Sequence, residues 1–121
     1  MISVLIAEDQ AMVRGAIASL LALEDDIDVV AQVGRGDDAV DRARMLRPDV
    51  ALLDIEMPGL DGLAAAEELA RELPETRTLI LTTFGRPGYL RRAIEAGVDG
   101  FMLKDAPANQ LADAIREVNA G

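Results

Sequence analysis

The sequence predicts an α/β fold: a five-stranded parallel sheet with helices on both faces. One observation is a short apolar run that recurs five times, Ile2 to Ala7, Val29 to Val33, Val50 to Leu53, Thr78 to Thr83 and Gly100 to Leu103. Each run is bounded by charges, Pro or Gly, as strands buried on both faces are. A second observation is that amphipathic stretches with helical spacing separate the runs and a fifth closes the chain, the alternation of a parallel sheet. The third is composition. In 121 residues half are apolar and only 2% aromatic, so one core of Ala, Val, Leu and Ile is expected in a single domain.

The first helical stretch, roughly Gln10 to Glu24, carries Val13, Ile17, Leu20 and Leu21 on one stripe. A second stripe of Met12, Ala16, Ser19 and Leu23 makes its apolar face wider than one core contact needs. Pro48 is expected to end the second helix, Pro74 the third, and Gly97 to cap the fourth. The last helix, about Asn109 to Ala120, turns Leu111, Ile115 and Val118 inward, with Asn109 as N-cap. Met12, Ala16 and Leu23, together with Leu111 and Ile115 of the last helix, form a candidate isologous patch for a homodimer.

Several classes of chemistry are excluded. With no cysteine there is no disulfide, thiolate nucleophile or zinc–sulfur site, and with no histidine no Ser-His-Asp device or histidine-bound metal. The formal charge of −10 opposes direct contact with nucleic acid or an anionic membrane. The apolar N-terminal run is too short to span a bilayer and lacks the flanks of a signal peptide, so a cytoplasmic location is expected.

In open α/β sheets, ligands bind beyond the carboxyl ends of the strands. Glu8 and Asp9 end the first run, Asp54 the third, Thr82 and Thr83 the fourth, and Lys104 the fifth. Any one of these could be an ordinary strand end or helix cap. Together they are harder to explain, because three close carboxylates repel. At about 4 Å and an effective dielectric of about 20, each pair costs roughly 4 kcal/mol. A hard divalent cation, Mg²⁺ (or Mn²⁺), would offset that repulsion. Asp54 then becomes the candidate nucleophile toward phosphorus. The candidate metal ligands are Glu8, Asp9, Asp54 and the backbone carbonyl of Glu56, with Thr82 and Lys104 facing the phosphoryl oxygens.

Glu8-Asp9, Asp54 with Met57-Pro58-Gly59 and Asp61-Gly62, Thr82, Ala96-Gly97-Val98-Asp99-Gly100-Phe101 and Lys104 resemble the receiver domain of bacterial two-component response regulators. Leu103-Lys104-Asp105 and the helical ending at Gly121 resemble its NarL/LuxR-type group, in which a helix-turn-helix DNA-binding domain follows. A finer likeness, to the desaturase-controlling regulators of that group, rests on residues 81–84 and 86–89. The resemblance implies a flavodoxin-like (βα)₅ fold and transfer of a phosphoryl group from a sensor histidine kinase to Asp54. It also implies slow hydrolysis of the acyl phosphate, with Glu56 and Phe84 tuning its lifetime. Thr82 and Lys104 are expected to move toward the new phosphoryl group, and Phe101 to turn into the space that Thr82 vacates. Kinase docking is expected near Ala11, Arg14 and the loop 105–107. There are two departures: Asp105 stands where many receivers have Pro directly after the Lys, and the switch aromatic is Phe rather than Tyr.

Rival readings fit less well. A haloacid-dehalogenase-type phosphatase would need Asp-x-Asp after an early strand, whereas Asp54-Ile55-Glu56 follows the third and no cap insertion is present. A flavin or nucleotide module would use a phosphate loop after the first strand, and the lone Gly34-Arg35-Gly36 comes after the second. A degenerate receiver that only scaffolds partners would not need all five site residues.

Overall fold

The computed structural model describes residues 1–82, 87–104 and 106–121, with only the backbone described at 87, 89 and 108. Thr83, Phe84, Arg86 and Asp105, named above, lie outside the described residues.

Strands β1 (Ile2–Ala7), β2 (Ile27–Val33), β3 (Val50–Asp54), β4 (Arg77–Thr82) and β5 (Gly100–Leu103) alternate with helices α1 (Ala11–Leu21), α2 (Gly36–Leu46), α3 (Gly62–Glu72), α4 (Pro87–Ala96) and α5 (Ala108–Ala120). The strands form one sheet in the order β2-β1-β3-β4-β5, every pair parallel. This is the flavodoxin-like (βα)₅ arrangement that the sequence predicts. The period-2 geometry of a strand sends alternate residues to opposite faces. Leu5, Ala7, Ala51, Leu53 and Ile80 accordingly pack with α2, α3 and Ala93, while Val4, Ile6, Val50, Leu52, Leu79 and Leu81 pack with Leu21, Leu111, Ala112 and Ile115.

The helix ends follow local chemistry. Asp61 caps α3 by accepting from the Ala64 N–H at 2.7 Å, and Gly97 takes the left-handed conformation after α4 at φ +79°. Arg47 closes α2 in the left-handed region, leaving Pro48 outside the helix. Three expectations are corrected. The α5 N-cap is Pro107, not Asn109; its φ of −56° suits the entry turn, and its carbonyl accepts from the Gln110 N–H at 2.9 Å. Helix α1 stops at Leu21, because Leu23 and Glu24 bond back three residues in a tightening turn. Leu20, assigned to the inward stripe, is exposed.

The proposed dimer patch is also revised. Leu111 is buried and Ile115 fully so. α5 has one apolar stripe and commits it to the sheet, so these two residues cannot form a surface. Met12, Ala16 and Leu23 are exposed, Met12 at 90% and Leu23 at 75%. Met12 therefore does not pack onto α5 of its own chain.

Candidate functional site

The register of the sheet assembles the site. Ala7 pairs with Leu53, so the residues that follow, Glu8 and Asp54, leave adjacent strands side by side. Asp54 pairs with Leu81, and Thr82 pairs with Leu103, which puts Lys104 just past the same edge. The Lys104 N–H donates to the Thr82 carbonyl at 2.7 Å and extends that alignment by one residue.

These side chains line a cleft of about 210 Å³, bounded by Glu8, Asp9, Gln10, Asp54, Glu56, Thr82 and Lys104. One carboxylate oxygen from each of Glu8, Asp9 and Asp54 lies within 4.8 Å of the others. Glu8 is 2% exposed, Asp54 and Thr82 are buried, and Asp9 faces solvent. Lys104 Nζ sits 2.7 Å from Glu8 Oε2 and 3.2 Å from Asp54 Oδ1. Hard carboxylate oxygens at this spacing, open to water on one side, fit a small divalent cation.

The electrostatics bear the mark of this crowding. Burial pushes the Asp54 carboxyl up to about 7, and the hydrogen bond and negative charge of Glu8 push the same way against the pull of Lys104. Burial lowers the Lys104 ammonium, but Glu8 and Asp54 outweigh it and hold the group above its ordinary value.

The structure therefore brings Glu8, Asp9, Asp54, Glu56, Thr82 and Lys104 to one cleft. Phe101 lies apart, half-buried and packed against the cluster that contains Leu53 and Ile80. Gln10 escaped the reading of the sequence, and Arg14 was read only as a kinase-docking residue. Gln10 lines the cleft, and its N–H donates to Glu8 Oε1 at 3.3 Å. Arg14 Nη1 donates to the Glu8 carbonyl at 2.7 Å, one turn into α1. The only signal for either was its position just after the acidic pair.

Residues 4–116 match the response regulator receiver domain family. The chain belongs to that family. The receiver domain is 56% identical to the transcriptional regulatory protein DesR of Bacillus subtilis over 121 residues, all of this chain and 60% of that protein. It is 38% identical over 120 residues to the response regulator protein VraR of Staphylococcus epidermidis, covering 99% of this chain and 57% of that one. The receiver domain thus spans about 60% of the length of these relatives. Among solved structures, a LuxR-family DNA-binding response regulator from Staphylococcus aureus matches with a TM-score of 0.94 at 38% identity, covering 98% of this chain and 99% of that chain. The receiver domain of NarL from Mycobacterium tuberculosis matches at 0.96 and 29%, covering 99% and 97%. Among the described residues, no helix of the receiver is long and apolar enough to cross a membrane.

Proposed function

We propose that Asp54 accepts a phosphoryl group from the phosphohistidine of a sensor histidine kinase, and that the aspartyl phosphate switches this receiver between two states in the cytoplasm. The observation that carries the reading is the cleft itself: three carboxylates within 4.8 Å of one another, with one lysine against two of them. Glu8, Asp9, Asp54 and the Glu56 carbonyl would hold Mg²⁺ (or Mn²⁺). The bound ion supplies positive charge to the phosphoryl oxygens.

The chain's own groups divide the remaining work. An Asp54 carboxylate oxygen forms the bond to phosphorus as the donor's phosphorus–nitrogen bond breaks. Lys104, already within 3.2 Å of Asp54, pairs with the transferred group, and the Thr82 hydroxyl donates to another of its oxygens. Slow attack by water on the acyl phosphate resets the switch. Phe101 reports the change by turning toward the space Thr82 leaves, at the β4–β5 edge where Ile80 pairs with Phe101. The kinase docks near Ala11, Arg14 and Ala106-Pro107. A DNA-binding domain, outside this chain, carries the transcriptional output. These assignments predict a single added phosphoryl group in intact-protein mass spectrometry after incubation with acetyl phosphate and Mg²⁺. Asp54→Ala is expected to abolish it, as is omission of the metal. Undiminished labelling of Asp54→Ala would remove Asp54 from this role.

The output of the switch is a homodimer through Met12, Ala16 and Leu23. Their exposure supports this, as does the apolar groove of about 400 Å³ that Met12 and Ala16 line beside the exposed Leu20 and Leu103. Met12→Asp is expected to leave the fold and phosphorylation intact and to weaken phosphorylation-dependent dimerisation at least about tenfold by sedimentation. Dimerisation equal to that of the parent would exclude the patch.

A further inference from the structure

The Gly34-Arg35-Gly36 turn is spaced like a phosphate loop, yet its contacts are with protein. Its two ends hold two different backbone segments. On one side the Glu8 N–H donates to the Val33 carbonyl at 3.0 Å. A Cβ at Gly34 would lie 3.8 Å from the Glu8 carbonyl and from Asp9 Cα, and 3.0 Å from the same Arg14 Nη1 that holds the Glu8 carbonyl. On the other side the Gly36 N–H donates to the Pro58 carbonyl at 3.1 Å. There a Cβ at Gly36 would stand 1.9 Å from the Leu60 carbonyl oxygen, a collision with backbone that no rotamer change relieves. Leu60 belongs to the loop that leaves Asp54 and passes Glu56, and the Gly62 N–H closes that loop onto the Ile55 carbonyl at 2.8 Å.

We infer that Gly34-Arg35-Gly36 is a positioning turn for the divalent cation. It fixes the separation between the Glu8-Asp9 segment and the Glu56 loop, with Gly36 as the residue that sets the distance. The inference rests on the metal assignment proposed above. Small-residue contact is needed on the loop side because any side chain at 36 would push Pro58 to Leu60 outward and carry the Glu56 carbonyl with them. On the acidic side the neighbour is the flexible end of Arg14, which can yield. Outer groups that orient metal ligands typically change affinity by about 10- to 100-fold when altered.

The test is thermal unfolding of the purified chain in EDTA and across a series of MgCl₂ concentrations, since a ligand of the folded state raises the melting temperature according to its affinity. The parent and Gly15→Ala, whose new methyl meets nothing within 4 Å, are expected to gain the same Mg²⁺ increment. Gly36→Ala is expected to gain much less, with an apparent Kd for Mg²⁺ raised about tenfold or more. Arg14→Met, which removes the hydrogen bond to the Glu8 carbonyl and leaves the Gly36–Pro58 contact in place, is read the same way and decides the matter if Gly36→Ala does not fold. A variant that melts lower in EDTA but gains the full increment shows a purely structural glycine and overturns the inference. A parent chain with no increment overturns the metal assignment as well, so the two failures are distinguishable.

Discussion

Replacing Lys104 with Met is expected to destabilise the metal-free receiver by about 3 kcal/mol at pH 8, and by much less at pH 6. The ammonium lies 2.7 Å from Glu8 and 3.2 Å from Asp54, and both acids are buried. Its removal leaves two close carboxylates without their bridging cation, the situation in which breaking a buried pair is most costly. The sign of the pH dependence follows from Asp54. Its folded value, about 7, lies above the ordinary 3.8, so folding takes up a proton between those limits. The stability this contributes is complete below about 4 and is lost as pH rises through about 7. Without Lys104 the carboxyl holds its proton to higher pH, which softens the loss in acid and exposes it in base. Urea unfolding in EDTA at the two pH values measures the effect. Equal losses at both would show that the lysine does not compensate these acids.

Mg²⁺ binding is expected to weaken about tenfold for each pH unit below about 7 and to level off above it. At pH 6 most molecules carry a proton on Asp54, pushed up by burial and by Glu8, and that proton must leave before the carboxylate can face a cation. Calorimetric titration in buffers of different ionisation enthalpy should find close to one proton released at pH 6 and little at pH 8. A flat affinity across that range would mean that Asp54 is ionised throughout or is not a ligand.

The sheet and its edge were legible in the sequence because strands buried on both faces write continuous apolar runs, and because acid, hydroxyl and amine at their ends have few uses in common. β3 shows this well: Val50 to Leu53 lack any polar residue, and Asp54 follows. The helix faces were harder to read. Leu20 and Leu111 are both leucines at plausible inward positions, but only the placement of each helix on the sheet decides that one is exposed and the other buried. Asn109 looked like a cap by residue type, yet Pro107 begins the turn because its ring already fixes the backbone dihedral. The role of Gly36 was illegible for a different reason. A collision with the Leu60 carbonyl is a contact between segments distant in the chain, and no local pattern records it.

Lys104 and Glu8 are 96 positions apart in the chain, and the bond between them joins the first and last strands' ends of the receiver. During synthesis Glu8 and Asp54 both leave the ribosome before the lysine does. A nascent sheet of β1 to β4 must therefore hold its acids protonated, hydrated or apart until β5 docks. Contacts of such long range form late and tie the ends of the chain into one cooperative unit. The residues that carry the signal in the finished protein thus also make an incompletely translated chain a poor approximation to the folded one.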